Sequence, residues 1–130
     1  MASIFTRIIQ GEIPCYKIAE DDLHLAFLDV RPVALGHVLV IPKTELDYIF
    51  DLDSEQYRSL WDFTRYVAAG LKAAIPCKRI GVAVIGLEVA HAHIHLVPLN
   101  SMDDINFSKE KLNPSREQLE QIRTKIAGQL

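Results

Sequence analysis

The sequence predicts one domain that mixes helices and strands, and three features carry that expectation. His91-Ala92-His93-Ile94-His95-Leu96-Val97 alternates histidine with apolar residues, the pattern of a strand with one face on a core. Asp53-Ser54-Glu55-Gln56 opens a long run of apolar residues at helical spacing. Strand-like runs bounded by turn residues fill the stretch from Cys15 to Pro42 ahead of that helix.

In chain order, Ile4, Phe5, Ile8 and Ile9 recur at spacings near three and four, giving a short amphipathic helix capped by Ser3 and ended by Gly11. Cys15 to Ala19 reads as a short strand and Asp21-Asp22 as a turn. Leu23 to Val30 reads as a second strand, with Leu23, Leu25 and Phe27 on one face. Asp29 breaks that apolar row at its end, either as a turn cap or as part of a site. Gly36 to Pro42 is a third strand that begins beside His37 and closes on Pro42, which has no N–H to give a ladder. Thr44 to Phe50 reads as a short helix or turn.

The main helix carries Tyr57, Leu60, Trp61, Thr64, Val67, Ala68 and Leu71 on one face and runs to about Ala74, ahead of Pro76. Its aromatic stripe reads as core packing. Arg79 to Ile85 is apolar on both parities, which predicts a central strand covered on both faces, and Gly86 marks a turn or bulge before the histidine strand. Periodicity is lost after Pro98, so Leu99 to Pro114 reads as a surface loop. Ser115-Arg116-Glu117-Gln118 then opens a last helix through Leu119, Ile122 and Ile126 that frays near Gly128.

Composition narrows the function classes. At 130 residues, 49% hydrophobic and 24% charged, the chain has the make-up of one globular domain, 1–130, with residues 100–130 as a loop-and-helix extension. A net charge of −3 argues against coating nucleic acid, while leaving room for a small phosphorylated ligand. No run of eighteen apolar residues suggests a membrane span, and residues 1–10 lack the apolar core of a secretory signal. Cys15 and Cys77 stand apart, outside any CxxC pattern, and read as separate thiols in a reducing compartment. The expected location is cytoplasmic, with neither membrane nor nucleic acid as partner. Neither of the glycine-rich phosphate-binding patterns GxGxxG and GxxxxGK[ST] occurs.

The histidine row admits two chemistries. On a regular strand neighbouring histidines lie about 6.6 Å apart and the outer pair roughly 13 Å apart at Cα. Two of them could chelate one metal ion at Zn–N distances of ~2.0–2.1 Å, with further ligands from elsewhere. Alternatively the row is an anion site, in which a central imidazole attacks and its neighbours hold oxygens or move protons.

Several ordered motifs resemble the histidine triad (HIT) superfamily: Ser3-Ile4-Phe5 through Ile13-Pro14, Ala26 to Pro32, Gly36 to Lys43, and the His91 to Val97 motif itself, which matches His-φ-His-φ-His-φ-φ at every position. The resemblance implies an α+β fold with a five-stranded, mainly antiparallel sheet, one long helix, a short N-terminal helix and a C-terminal helix. It further implies a homodimer acting on nucleotides without a metal or other cofactor. By the same likeness His93 would attack the α-phosphorus and form a nucleotidyl-histidine, supported by His91, His95 and His37. Asp29 would take the ribose hydroxyls, and Ile4, Phe5, Ile8, Ile13, Phe27, Val30 and Leu39 would wall the base. Glu88 and Val89 complete the expected nucleotide-binding set.

The chain departs from the family just before the triad. Many members carry there an Asn- and Gly-containing loop followed by Gly-Gln and a hydroxyl residue, all offering donors to phosphate. Here the loop is Val84-Ile85-Gly86-Leu87-Glu88-Val89-Ala90, with Leu87 in place of the Gln and Glu88 in place of the hydroxyl. On a regular strand Glu88 would face away from His91 and His93, and a bulge near Gly86 would be needed to bring it to them. The expected function is a nucleotide hydrolase or transferase cleaving purine nucleotide conjugates, either phosphoramidates or dinucleoside polyphosphates, at the α-phosphate. Its rivals are a low-turnover nucleotide-binding sensor or scaffold of the same fold, and a zinc protein using His91 and His93 with Glu88 or His37.

Overall fold

Capping and parity explain most of the architecture. In the computed structural model, which describes residues 2–130, Met1 of the expected 1–130 domain lies outside the described residues. The elements are α1 (Ile4–Ile9), β1 (Lys17–Glu20), β2 (His24–Leu28), β3 (Val38–Pro42), α2 (Ser54–Ala74), β4 (Arg79–Ala83), β5 (Ile94–Leu99) and α3 (Arg116–Ala127). Short 3-10 turns occupy Ile49–Asp51 and Met102–Ile105. The strands form one sheet in the order β1-β2-β3-β5-β4, every neighbour antiparallel. This is the α+β arrangement expected of the chain. Among the described residues, no helix is long and apolar enough to cross a membrane.

Asp53 caps α2 by accepting from the Gln56 N–H at 2.8 Å, and the Gln56 side chain reaches back to the Asp53 N–H. The same reciprocal pairing of Ser115 with Gln118 starts α3. Helical periodicity then puts Leu60, Val67 and Leu71 of α2 against Ala26, Val40, Ile94 and Leu96 of the sheet, with Leu119 and Ile126 of α3 closing that core. The opposite face of the sheet carries Leu25, Phe27, Leu39 and Ile41, covered by Phe5 of α1. Alternation along each strand therefore feeds two different layers from the same residues of β2 and β3. Gly36, with φ +92, turns the chain into β3; a Cβ there would meet Pro98 at 3.1 Å.

Three expectations need correction. The histidine strand starts at Ile94, not His91. The Ala92 N–H donates to the Leu46 carbonyl at 2.7 Å instead of joining a ladder. Parity nevertheless survives the change, because Ala92, Ile94 and Leu96 all lie in the α2 core. The segment Arg79–Ala83 is an edge strand rather than a central one, since β5 separates it from β3, and Val82 is 49% exposed. Leu23 lies in the turn before β2 and is 61% exposed, because that strand begins only at His24.

Replacing Leu60, which is fully buried, with Ala is expected to cost about 2–5 kcal/mol of stability through cavity formation. Asp53→Ala is expected to cost about 1 kcal/mol through loss of the cap. Urea unfolding of both variants beside the parent measures the two effects.

Candidate functional site

The site is built where β3 and β5 run side by side. Leu39 pairs with His95 across that ladder, and His37 immediately precedes β3. Each neutral imidazole has one N–H donor and one acceptor nitrogen, so fixed backbone partners decide which nitrogen is which. The Val33 N–H donates to His37 Nδ1 at 3.2 Å. His37 must then carry its proton on Nε2, which donates to His95 Nδ1 at 2.9 Å. That leaves the proton of His95 on Nε2.

A second set of bonds fixes the other two rings. His93 Nδ1 donates to the His91 carbonyl at 2.7 Å, so its Nε2 keeps the lone pair. His91 is fully buried, with Nε2 donating to the Pro42 carbonyl at 2.8 Å and Nδ1 accepting from Ser3 Oγ at 2.9 Å. Aromatic edges hold the row in place. Phe5 lies 5.1 Å from His93 and 5.8 Å from His91, and Phe107 lies 4.8 Å from His95 and 5.8 Å from His37.

Burial sets the charge. It pushes the His37 imidazole down to about 3, with His95, Lys111 and His93 adding repulsion. His95 is pushed down to about 4 by burial, then by His93 and Lys111. Burial also lowers His91. Positive charge in the site therefore does not come from His37 or His95 at neutral pH, and His95 Nε2–H is a neutral donor. Burial raises the Asp29 carboxyl, which accepts from the Arg31 N–H at 2.9 Å and lies 3.8 Å from His37 Nδ1.

A cavity of about 420 Å³ opens in front of these rings, within the range of roughly 300–1,000 Å³ common for small-molecule sites. His93, His95 and Asp29 line it, with Ile4, Phe5, Leu39 and Val89 as the apolar wall. Glu88 lines it as well, because the chain leaves strand geometry after Ala83 and turns at Gly86, φ +75. His37 and His91 stand behind the cavity as supports. Ile8 and Phe27 pack with Phe5 in the apolar layer beneath it. Ile13 and Val30 fall outside its walls, Val30 being half exposed. The fifth histidine, His24, lies in a separate, more open cleft, bonded to Asp21 at 2.9 Å and Ser59 at 3.2 Å.

Beyond Ile85, Gly86 and Leu87 of the pre-triad loop, which were not among the expected binding residues, three wall residues were not singled out from the sequence: Phe107, Ser108 and Lys111. They lie in the stretch read as a surface loop. Two hydrogen bonds fold it back, from the Leu112 N–H to the Pro32 carbonyl at 2.9 Å and from the Arg31 side-chain Nε to the Leu112 carbonyl at 3.0 Å. No local pattern announces such long-range pairing.

The donors also bear on metal binding. Both nitrogens of His91 are engaged, so His91 and His93 have no convergent lone pairs to chelate one ion. Among the described residues, Asp29, His37 and His95 bring ligand atoms within 4.8 Å of one another. His37, however, has its Nδ1 on Val33 and its Nε2 on His95. Ligation there would require breaking the relay. Cys15 and Cys77 are both free thiols.

Because His37 and His95 titrate lower in the folded chain than at the ordinary value of 6.5, the unfolded chain binds more protons below that pH. Their stabilisation is complete above pH 6.5 and falls as pH drops toward 4. The expected loss between pH 7 and pH 5 is about 2 kcal/mol per histidine. His37→Gln should remove one such share from the difference between urea unfolding curves at the two pH values.

The profile of the HIT domain family matches residues 10–102. A HIT-like protein of Borreliella burgdorferi is 33% identical over 95% of this chain and 95% of its own length. The adenosine 5'-monophosphoramidase of Schizosaccharomyces pombe is 35% identical over 75% of this chain and 74% of its own. Among solved structures, a Hit-like protein of Bartonella henselae superposes with a TM-score of 0.85 at 30% identity, covering 98% of this chain and 96% of that one. With the histidine row on one side of an antiparallel five-stranded sheet and the family profile spanning most of its length, the chain belongs to the HIT family.

Proposed function

We propose that this protein hydrolyses purine nucleotide conjugates at the α-phosphorus through a nucleotidyl-histidine formed on His93. The observation that carries this reading is the 2.7 Å bond from His93 Nδ1 to the His91 carbonyl. It commits Nδ1 as donor and leaves the Nε2 lone pair of a ring that lines the cavity as the nucleophile. In the first step Nε2 bonds to phosphorus as the bond to the leaving group breaks. An amine leaving group takes a proton as it departs, and His95 Nε2–H is the donor. Water then attacks the same phosphorus, the N–P bond breaks, and the proton that the water loses returns to His95 Nε2, so that a nucleoside monophosphate leaves and neutral His93 and His95 are regenerated.

The remaining roles follow from the chemistry of the walls. Asp29 accepts hydrogen bonds from the ribose hydroxyls, and Ile4, Phe5, Leu39 and Val89 receive the base by burial and stacking. Ile8 and Phe27 back that wall. The name of the Schizosaccharomyces pombe relative, an adenosine 5'-monophosphoramidase, supports a phosphoramidate as one substrate. Rapid mixing with an adenosine phosphoramidate is expected to release amine in a single turnover, and acid quenching to trap nucleotide on the protein. His93→Ala should abolish both while retaining AMP binding. Binding without release in the parent protein would instead favour a sensor or scaffold.

We further propose that the protein works as a homodimer joined at β4. Its outer edge has no partner among the described residues, and Val82, Val84, Ile85, Tyr48 and Phe50 are exposed on or near it. The apolar content of Arg79 to Ile85 on both parities, which suits a covered strand, is satisfied if a second copy supplies the cover. Val82→Glu is expected to shift sedimentation from dimer to monomer while leaving far-UV circular dichroism unchanged.

A further inference from the structure

The cavity poses a charge problem. Its walls carry two carboxylates, Asp29 and Glu88, and a substrate would bring at least one more negative charge at its phosphate. His37 and His95 are kept neutral by burial, and the loop before the triad offers Leu87 and Glu88 where donors would be useful. Among the described residues, the one lysine or arginine in the walls is Lys111.

We propose that Lys111, with the hydroxyl of Ser108, is the phosphate-binding group of this site, receiving the α-phosphate oxygens of a nucleoside 5'-phosphate beside His93. The inference rests on the nucleotide-hydrolase reading for its ligand class, and extends it by naming where the anion is held.

Four observations carry it. Lys111 and Ser108 line the same cavity as His93, His95 and Asp29. Among the described residues no carboxylate lies within 4 Å of the Lys111 ammonium, which leaves its charge free to face the cavity. The ammonium is instead 6.0 Å from the centroid of the Phe107 ring, and that ring packs edge-on against His95 at 4.8 Å. The carrying segment is anchored, through Leu112 to Pro32 and Arg31, to the turn that follows Asp29.

Lys111 is also close enough to act on the charges of Asp29, His37 and His95. An unpaired ammonium over a cavity whose wall imidazole His95 is neutral is the arrangement that an anion completes. Residues 107–111 lie beyond the span matched by the family profile, 10–102. The phosphate donors absent from the pre-triad loop are thus replaced from a different part of the chain.

The test compares AMP with adenosine, which differ only in the phosphate, by calorimetric titration of the parent protein, Lys111→Met and Lys111→Arg. Lys111→Met is expected to weaken AMP about tenfold or more while leaving adenosine within about twofold. Lys111→Arg should keep most of the AMP affinity, and Ser108→Ala should lose part of it. An unchanged AMP-to-adenosine ratio in Lys111→Met, equal loss of both ligands, or no AMP binding by the parent protein would each overturn the proposal. A parent protein that binds AMP through Lys111 yet releases no leaving group would sustain this inference and refute the hydrolase reading.

Discussion

The site depends on a one-way run of hydrogen bonds through buried imidazoles. An imidazole in a dry environment has one proton to give and one lone pair to fill, and leaving either unmet costs about 1–3 kcal/mol. Val33 can only donate, which orients His37 and through it His95, and the carbonyls of His91 and Pro42 can only accept, which orients His93 and His91 through separate bonds. What reaches the cavity is consequently asymmetric: an N–H on His95 and a lone pair on His93. Burial reinforces the assignment by keeping His37 and His95 uncharged.

That run exists only because of the sheet order. His37 and His95 are 58 positions apart, and their rings meet because β3 and β5 are neighbours in the ladder. The helix α2 lies between those strands in sequence and packs on the far face through Leu60, Val67 and Leu71. Chemistry and stability are thereby allotted to opposite sides of one sheet. A residue such as Leu39 faces the cavity while Val38 and Val40 face the helices. The alternation that made the histidine segment conspicuous is the same device at work on β5.

Legibility followed the range of the interaction. Capping boxes at Asp53 and Ser115 are local, and both helices begin where those residues stand. The shared side of His91, His93 and His95 was also readable, being a matter of parity. That the first two lie off the strand was not, because it is decided by a bond from Ala92 to Leu46. The apolar pattern of Arg79 to Ile85 reported a surface suited to cover, and pattern alone does not say that the cover is missing from the chain's own sheet. Phe107 to Lys111 was silent for a related reason: a loop ordered by backbone pairing with Pro32 leaves no periodic trace. Resemblance supplied an expectation where spacing did not, as with Asp29, which the sequence pattern by itself left between turn cap and site residue.

The buried ring of His91 also ties the short helix α1 to the body of the protein. Ser3 caps that helix and bonds His91, while Glu45 accepts from the Ser3 N–H and the Thr6 hydroxyl, both at 2.6 Å. Six residues are too few to hold a helix by themselves in water. The wall formed by Ile4 and Phe5 is therefore a borrowed surface, standing only while its tethers hold, and whatever fills the space against it tightens those tethers in return. Filling that space and ordering the first turn of the chain would then be one equilibrium.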